Sequence, residues 1–305
     1  MNAAELDSRL IGYIVVCGVA GVLSLLSWQL LQRVVVARLS ERSVSLRQNI
    51  LAKLLLGTLL GIFALWLAIQ PALFSGAFRD TALGYESFDP LGRAESVPFL
   101  TLLRFFLFQG LAEELVYRGI SLALLATGLF AAAARFLRPR EADAGWLSWC
   151  WLVSGLAANL LVSLTFALWH GGNPGIDGLG VANIALAGMV LGQLFLNQGS
   201  VGGAAALHII WNLGQALLGL PVSGILVSRP LIGSIEGAGL ELISGGLFGP
   251  EGGLGSTASL LLVLAYLLWT ALPPGSRDAG AQEEQAAGNA GTGVIPASRG
   301  AGDAD

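Results

Sequence analysis

The chain has 305 residues, 54% of them hydrophobic and only 12% charged, with a formal net charge of −4. A soluble domain carries roughly a quarter of its residues charged, so the polar surface here falls well short of covering a globule in water; the mean hydropathy of +0.72 agrees. The composition points to a membrane protein, and the acidic balance without a large basic patch excludes a nucleic-acid partner. Cys17 and Cys150 both fall in apolar runs and read as small buried hydrophobes, not as a disulfide framework.

Crossing about 30 Å of hydrocarbon takes about 20 apolar residues. In chain order, about seven runs answer to that length: residues 10–31, 50–74, 98–130, 146–169, 179–196, 201–220 and 257–272. The first does not read as a cleaved signal peptide, because MNAAELDSR is acidic on balance and no small-residue cleavage site follows. After it come Arg33, Arg38, Arg42 and Arg47 against Glu41 alone, and after the third run come Arg135, Arg138 and Arg140. Residues 75–97 are acidic instead, with Asp80, Glu86, Asp89 and Glu95 against Arg79 and Arg93. Basic loops stay cytoplasmic, so the N-terminus is expected outside and the C-terminus inside.

Residues 228–256 are glycine-rich and read as an irregular outer loop, whose Leu240, Leu242, Ile243, Leu247 and Phe248 would pack on the membrane surface. The tail 273–305 is too polar to order itself and is expected to be disordered. The domain reading is one integral membrane unit, 1–272, with its core at about 98–220, and a polar tail. The fold class is all-α: a polytopic membrane helix bundle of about seven transmembrane helices with an intramembrane polar cavity. The many glycines suit close helix approach in lipid, and no repeat marks the inverted halves of a transporter.

A charge inside the bilayer costs roughly 2.5–3.5 kcal/mol even on the lenient scale. The chain concentrates that cost in FFLFQGLAEELVYRG, which carries Glu113, Glu114 and Arg118. Glu114 and Arg118 are i,i+4 and share a helix face as an ion pair, whereas Glu113 points about 100° away and keeps no such partner. The only two histidines, His170 and His208, also fall in apolar runs, and Asn212 follows His208 one turn on. A carboxylate in a low-dielectric cavity can serve as a general base that takes a proton from water. His170 could hold that water, and His208 and Asn212 could donate to a developing oxyanion. Alternatively, Glu113, His170 and His208 could bind a divalent metal such as zinc, although H-E-x-x-H is absent. His170 lies near the end of its run while Glu113 and His208 lie deeper, a mismatch that tilt, staggered helices or a break at Gly171-Gly172-Asn173-Pro174 would relieve.

At these residues the chain resembles a known family. EELVYRG fits E-E-x-x-x-R, FALWH fits F-x-x-x-H and HIIWN fits H-x-x-x-N, in the order of the CAAX prenyl protease and bacteriocin-processing (CPBP, or Abi) family. The resemblance covers about 100–220. It implies an intramembrane, glutamate-dependent endopeptidase of the bacterial cytoplasmic membrane, often named a metalloprotease, acting on a membrane-associated peptide or protein. It assigns water activation to Glu113 with His170, the oxyanion site to His208 and Asn212, and support to Glu114 and Arg118. The alternative is a non-catalytic protein of the same fold, acting in bacteriocin self-immunity or as a scaffold; a proton-coupled transporter is a third reading. Of the remaining residues, Gln109 could line the same cavity, Phe166 could pack on His170, Trp169 and Trp211 could wall it, and Asn159 and Asn183 read as interhelical hydrogen-bond formers.

Overall fold

A computed structural model describes residues 3–36, 49–80, 96–137, 144–229, 235–237 and 240–272. Its helices, in chain order, are α1 (Ala3–Leu31), α2 (Ile50–Phe74), α3 (Phe99–Glu114), α4 (Ala123–Phe136), α5 (Ala144–His170), α6 (Gly178–Gln198), α7 (Val201–Leu218), α8 (Glu241–Ser244) and α9 (Leu254–Ala271). Two three-residue strands, β1 (Phe78–Asp80) and β2 (Ile235–Gly237), pair antiparallel with Phe78 opposite Gly237.

Seven helical stretches are long and apolar enough to cross a membrane: Ala4–Val35, Ile50–Phe74, Phe99–Phe136, Gly145–His170, Gly178–Gln198, Val201–Leu218 and Leu254–Ala271. These are the seven runs read from the sequence, and the chain is a multi-pass, all-α membrane bundle. The boundaries moved at three places. α1 begins several residues early, the third stretch runs on to Phe136, and α9 starts at Leu254. The loop residues Arg38, Arg42, Arg47, Glu41, Arg138, Arg140, Glu86, Asp89, Arg93 and Glu95 lie outside the described residues, as does the tail 273–305.

Large apolar side chains face outward along these helices (Ile11, Val15, Leu51 and Leu168 are examples) because lipid, not water, is their expected surround. With no hydrophobic drive to hold helices together in lipid, packing rests on close backbone approach. Gly57 and Gly61, four apart on α2, supply it: a Cβ on Gly57 would sit 2.0 Å from the Gly203 carbonyl oxygen of α7. Gly188 and Gly192 do the same on α6, where a Cβ on Gly192 would meet the Asn159 amide of α5 at 1.9 Å. Asn159 uses that closeness to donate to the Met189 carbonyl at 2.9 Å. The turn from α6 into α7 is set locally, with Gly199 left-handed at φ 58° and the Ser200 side chain accepting from Gly202 N–H.

Between α3 and α4 the helix widens to a π-helical segment, Leu115–Leu122. Such widenings recur at functional sites, and this one carries Arg118 and brings Gly119 against Ser24 of α1, where a Cβ would lie 2.2 Å from the hydroxyl.

The 240–253 segment corrects one expectation. Leu240, Leu242 and Leu247 are exposed, as residues facing an apolar surround should be. Phe248 instead enters the bundle, packs with Phe166, Ala167 and Ile184, and is 1% exposed. Two 3₁₀ turns, Gly246–Phe248 and Pro250–Gly252, make the entry possible. They are held by Gly224 N–H donating to the Phe248 carbonyl at 3.0 Å and by Asn183 Nδ2 donating to the Glu251 carbonyl at 2.8 Å.

Candidate active site

α3 positions Gln109 and Glu113, α5 ends on His170, and α7 carries His208 and Asn212 four residues apart. All five border one cavity of about 230 Å³. The sequence placed these groups on three separate helices; the fold brings them to one space.

Two hydrogen-bond chains organise them. In the first, Asn212 Nδ2 donates to Gln109 Oε1 at 3.2 Å, and Gln109 Nε2 donates to Glu113 Oε1. One oxygen of Glu113 is thereby fixed, while Oε2 is buried without a hydrogen-bond partner among the described residues. In the second, Arg118 Nη1 donates to Glu114 Oε1 at 2.8 Å, and His208 Nδ1 meets the same oxygen at 2.9 Å. Glu114 and Arg118 are 0% and 1% exposed and stand behind the cavity. Arg118 also donates from Nη2 to the Gly188 carbonyl of α6 at 3.2 Å.

These partners set the ring tautomers. A carboxylate and a carbonyl only accept, so His208 carries hydrogen on Nδ1 toward Glu114, and His170 carries it on Nδ1 toward the Phe166 carbonyl at 2.8 Å. Each ring keeps Nε2 for the cavity. That of His208 lies 3.9 Å from Glu113 Oε2, too far for a direct hydrogen bond.

Phe166 joins all three motifs. Its ring centroid is 4.6 Å from that of His170 and 6.2 Å from that of His208, and the Arg118 guanidinium carbon lies 4.8 Å from it. The expected contact with His170 is therefore present, and two more accompany it. At the break after α5, Asn173 Nδ2 donates to the Ser223 carbonyl at 2.9 Å, and Gly224 lies against the Pro174 carbonyl oxygen. The end of α5 is thus overlaid by the segment that follows α7.

The zinc set considered from the sequence does not fit as arranged. Among the described residues no three His, Cys, Asp or Glu side chains converge to hold an ion.

Some cavity residues gave little sign in the sequence. Glu251, in the turn before α9, is 4% exposed and borders the cavity. It sits in the apparently irregular GPEGG stretch, and nothing local ties it to partners on α7. Arg9 and Tyr13 of α1 border the cavity as well. Trp211 is buried and donates to Glu251 at 2.8 Å, whereas Trp169, though it borders the cavity, is mostly exposed. Asn183 accepts from Thr257 Oγ1 of α9 at 2.7 Å, the interhelical bond expected of it, and donates to the Glu251 and Gly253 carbonyls of the preceding turn.

Fold and cavity together define a polytopic helical membrane protein with a buried acid–histidine–amide site. Residues 95–214 match the family model described as type II CAAX prenyl endopeptidase Rce1-like. All three motifs lie inside that stretch, so the match bears out the resemblance to the CAAX protease family. Comparisons with curated proteins and with solved structures give no match.

Proposed function

We propose that the chain is an intramembrane endopeptidase of the CAAX-protease type that hydrolyses a peptide bond of a membrane-associated substrate with water activated by Glu113. The observation that carries this reading is the state of Glu113: Oε1 is fixed by Gln109, while Oε2 is buried, has no hydrogen-bond partner among the described residues, and belongs to a cavity shared with both histidines. Water held by the Nε2 lone pair of His170 gives a proton to Glu113 and attacks the carbonyl carbon. The oxyanion that forms is met by Asn212, whose amide has a second N–H beyond the one given to Gln109, and by Nε2–H of His208 when that ring is an imidazolium. Each such donor supplies roughly 2.7–4 kcal/mol in the transition state. The C–N bond then breaks, and the proton on Glu113 passes to the leaving amine. Glu114 and Arg118 orient His208 from behind.

The test is purified chain in liposomes against a library of acylated, membrane-associated peptides, with products read by mass spectrometry. Glu113→Gln is expected to slow cleavage at least a hundredfold while leaving thermal unfolding unchanged. Undiminished cleavage by that variant overturns the reading and favours a non-catalytic role in immunity or scaffolding.

A further inference from the structure

Glu251 has no part in the hydrolysis above, yet it is a carboxylate 4% exposed on the wall of the same cavity. Its Oε1 accepts from Trp211 Nε1 at 2.8 Å and from Gln215 Nε2 at 2.9 Å; its Oε2 accepts from Ser223 Oγ at 2.7 Å. All three donors are neutral. No Lys or Arg pairs with Glu251 among the described residues, and Arg9, itself exposed, is the one Lys or Arg that borders the cavity. Arg118 is already committed to Glu114.

A buried carboxylate without a cation is costly unless something completes it. Two carboxylate oxygens offer about four acceptor positions, and three are taken here. The two carboxylates that border this cavity, Glu113 and Glu251, have no Lys or Arg partner among the described residues, so the ligand that complements Glu251 is a donor with positive charge. The turn that carries Glu251 lies outside the 95–214 stretch matched by the family model.

We propose that Glu251 forms a second subsite of the cavity that takes a cationic, hydrogen-bond-donating group of the substrate, an ammonium or guanidinium near the bond to be cut. The proposal rests on the endopeptidase reading for its consequence but not for its test. Binding is measured by fluorescence anisotropy on the full chain carrying Glu113→Gln, which removes the proposed base. The probes are dodecanoylated, labelled, C-terminally amidated nonapeptides of Leu and Ala, with lysine, norleucine or glutamate walked through the central positions. A further probe has norleucine and a free N-terminal amine in place of the acyl group, so that a side-chain cation and a chain terminus are told apart.

The best-placed lysine peptide, or the free-amine peptide, is expected to bind at least tenfold tighter than acylated norleucine, and the glutamate peptide weaker than both. Adding Glu251→Gln is expected to erase that preference, since the carboxamide keeps the shape and loses the charge. Equal binding of the cationic and norleucine peptides, or a preference that survives Glu251→Gln, overturns the subsite. Should Glu251→Gln fail to fold, the order of the three peptides on the intact cavity decides alone. Cleavage of the norleucine peptide by the unaltered chain is scored separately, so the Glu113 mechanism can fail while the subsite stands, or the reverse.

Discussion

The guanidinium of Arg118 lies over the ring of Phe166, its central carbon 4.8 Å from the ring centroid. One turn earlier on α5 than His170, the carbonyl of the same Phe166 accepts from Nδ1 of His170. One side chain and its backbone therefore tie the acidic motif on α3 to the histidine at the end of α5. A desolvated cation–π contact contributes about 2 kcal/mol. Phe166→Leu should lower the unfolding temperature and cut peptide cleavage at least tenfold, because both Arg118 and His170 lose a contact. Unchanged cleavage with a lowered unfolding temperature would reduce Phe166 to packing alone.

Glu114 accepts from Arg118 and from His208 through a single oxygen. Removing one partner of a buried pair leaves the other charge uncompensated, at about 3–5 kcal/mol. Glu114→Ala is expected to destabilise the chain by that order. The double variant Glu114→Ala/Arg118→Met should recover part of the loss, since no orphan charge remains. Denaturant unfolding in mixed micelles measures both, and a double variant no more stable than the single one would show that the ion pair is not what Glu114 supplies.

Gln109 links the amide of Asn212 to the carboxylate of Glu113. Gln109→Leu keeps the volume and removes the link. The expected result is a kcat lower by about tenfold to a hundredfold with KM nearly constant, because the base loses its orientation while the walls that contact substrate stay. A change in KM alone would place Gln109 in substrate contact instead.

Gly57 meets the backbone of α7 where any Cβ would overlap the Gly203 oxygen, whereas a Cβ on Gly12 of α1 would meet nothing within 4 Å. Overpacking costs typically 1–3 kcal/mol. Gly57→Val should therefore lower the unfolding temperature clearly and Gly12→Val hardly at all. Equal effects would mean that helix propensity, not close approach, governs both positions.

The sequence by itself determined the environment, the number of spanning helices and the residues of the three motifs. Hydropathy over twenty residues reports transfer into lipid, which each helix undergoes almost independently of its neighbours. The i,i+4 spacings fixed Glu114 against Arg118 and Asn212 beside His208, because a helix face is a local property. Only the tertiary structure decided what those faces meet. That Glu114 reaches across to His208, 94 positions away, and that Asn212 reaches Gln109, 103 positions away, depends on helix contacts that no periodicity records. The 240–253 segment shows the limit most plainly. Its glycines and scattered apolar residues read as a surface loop, and Phe248 and Glu251 became interior groups because Phe166 and Ile184 pack on the ring, Trp211 and Gln215 donate to the carboxylate, and Asn183 holds the backbone carbonyl of Glu251.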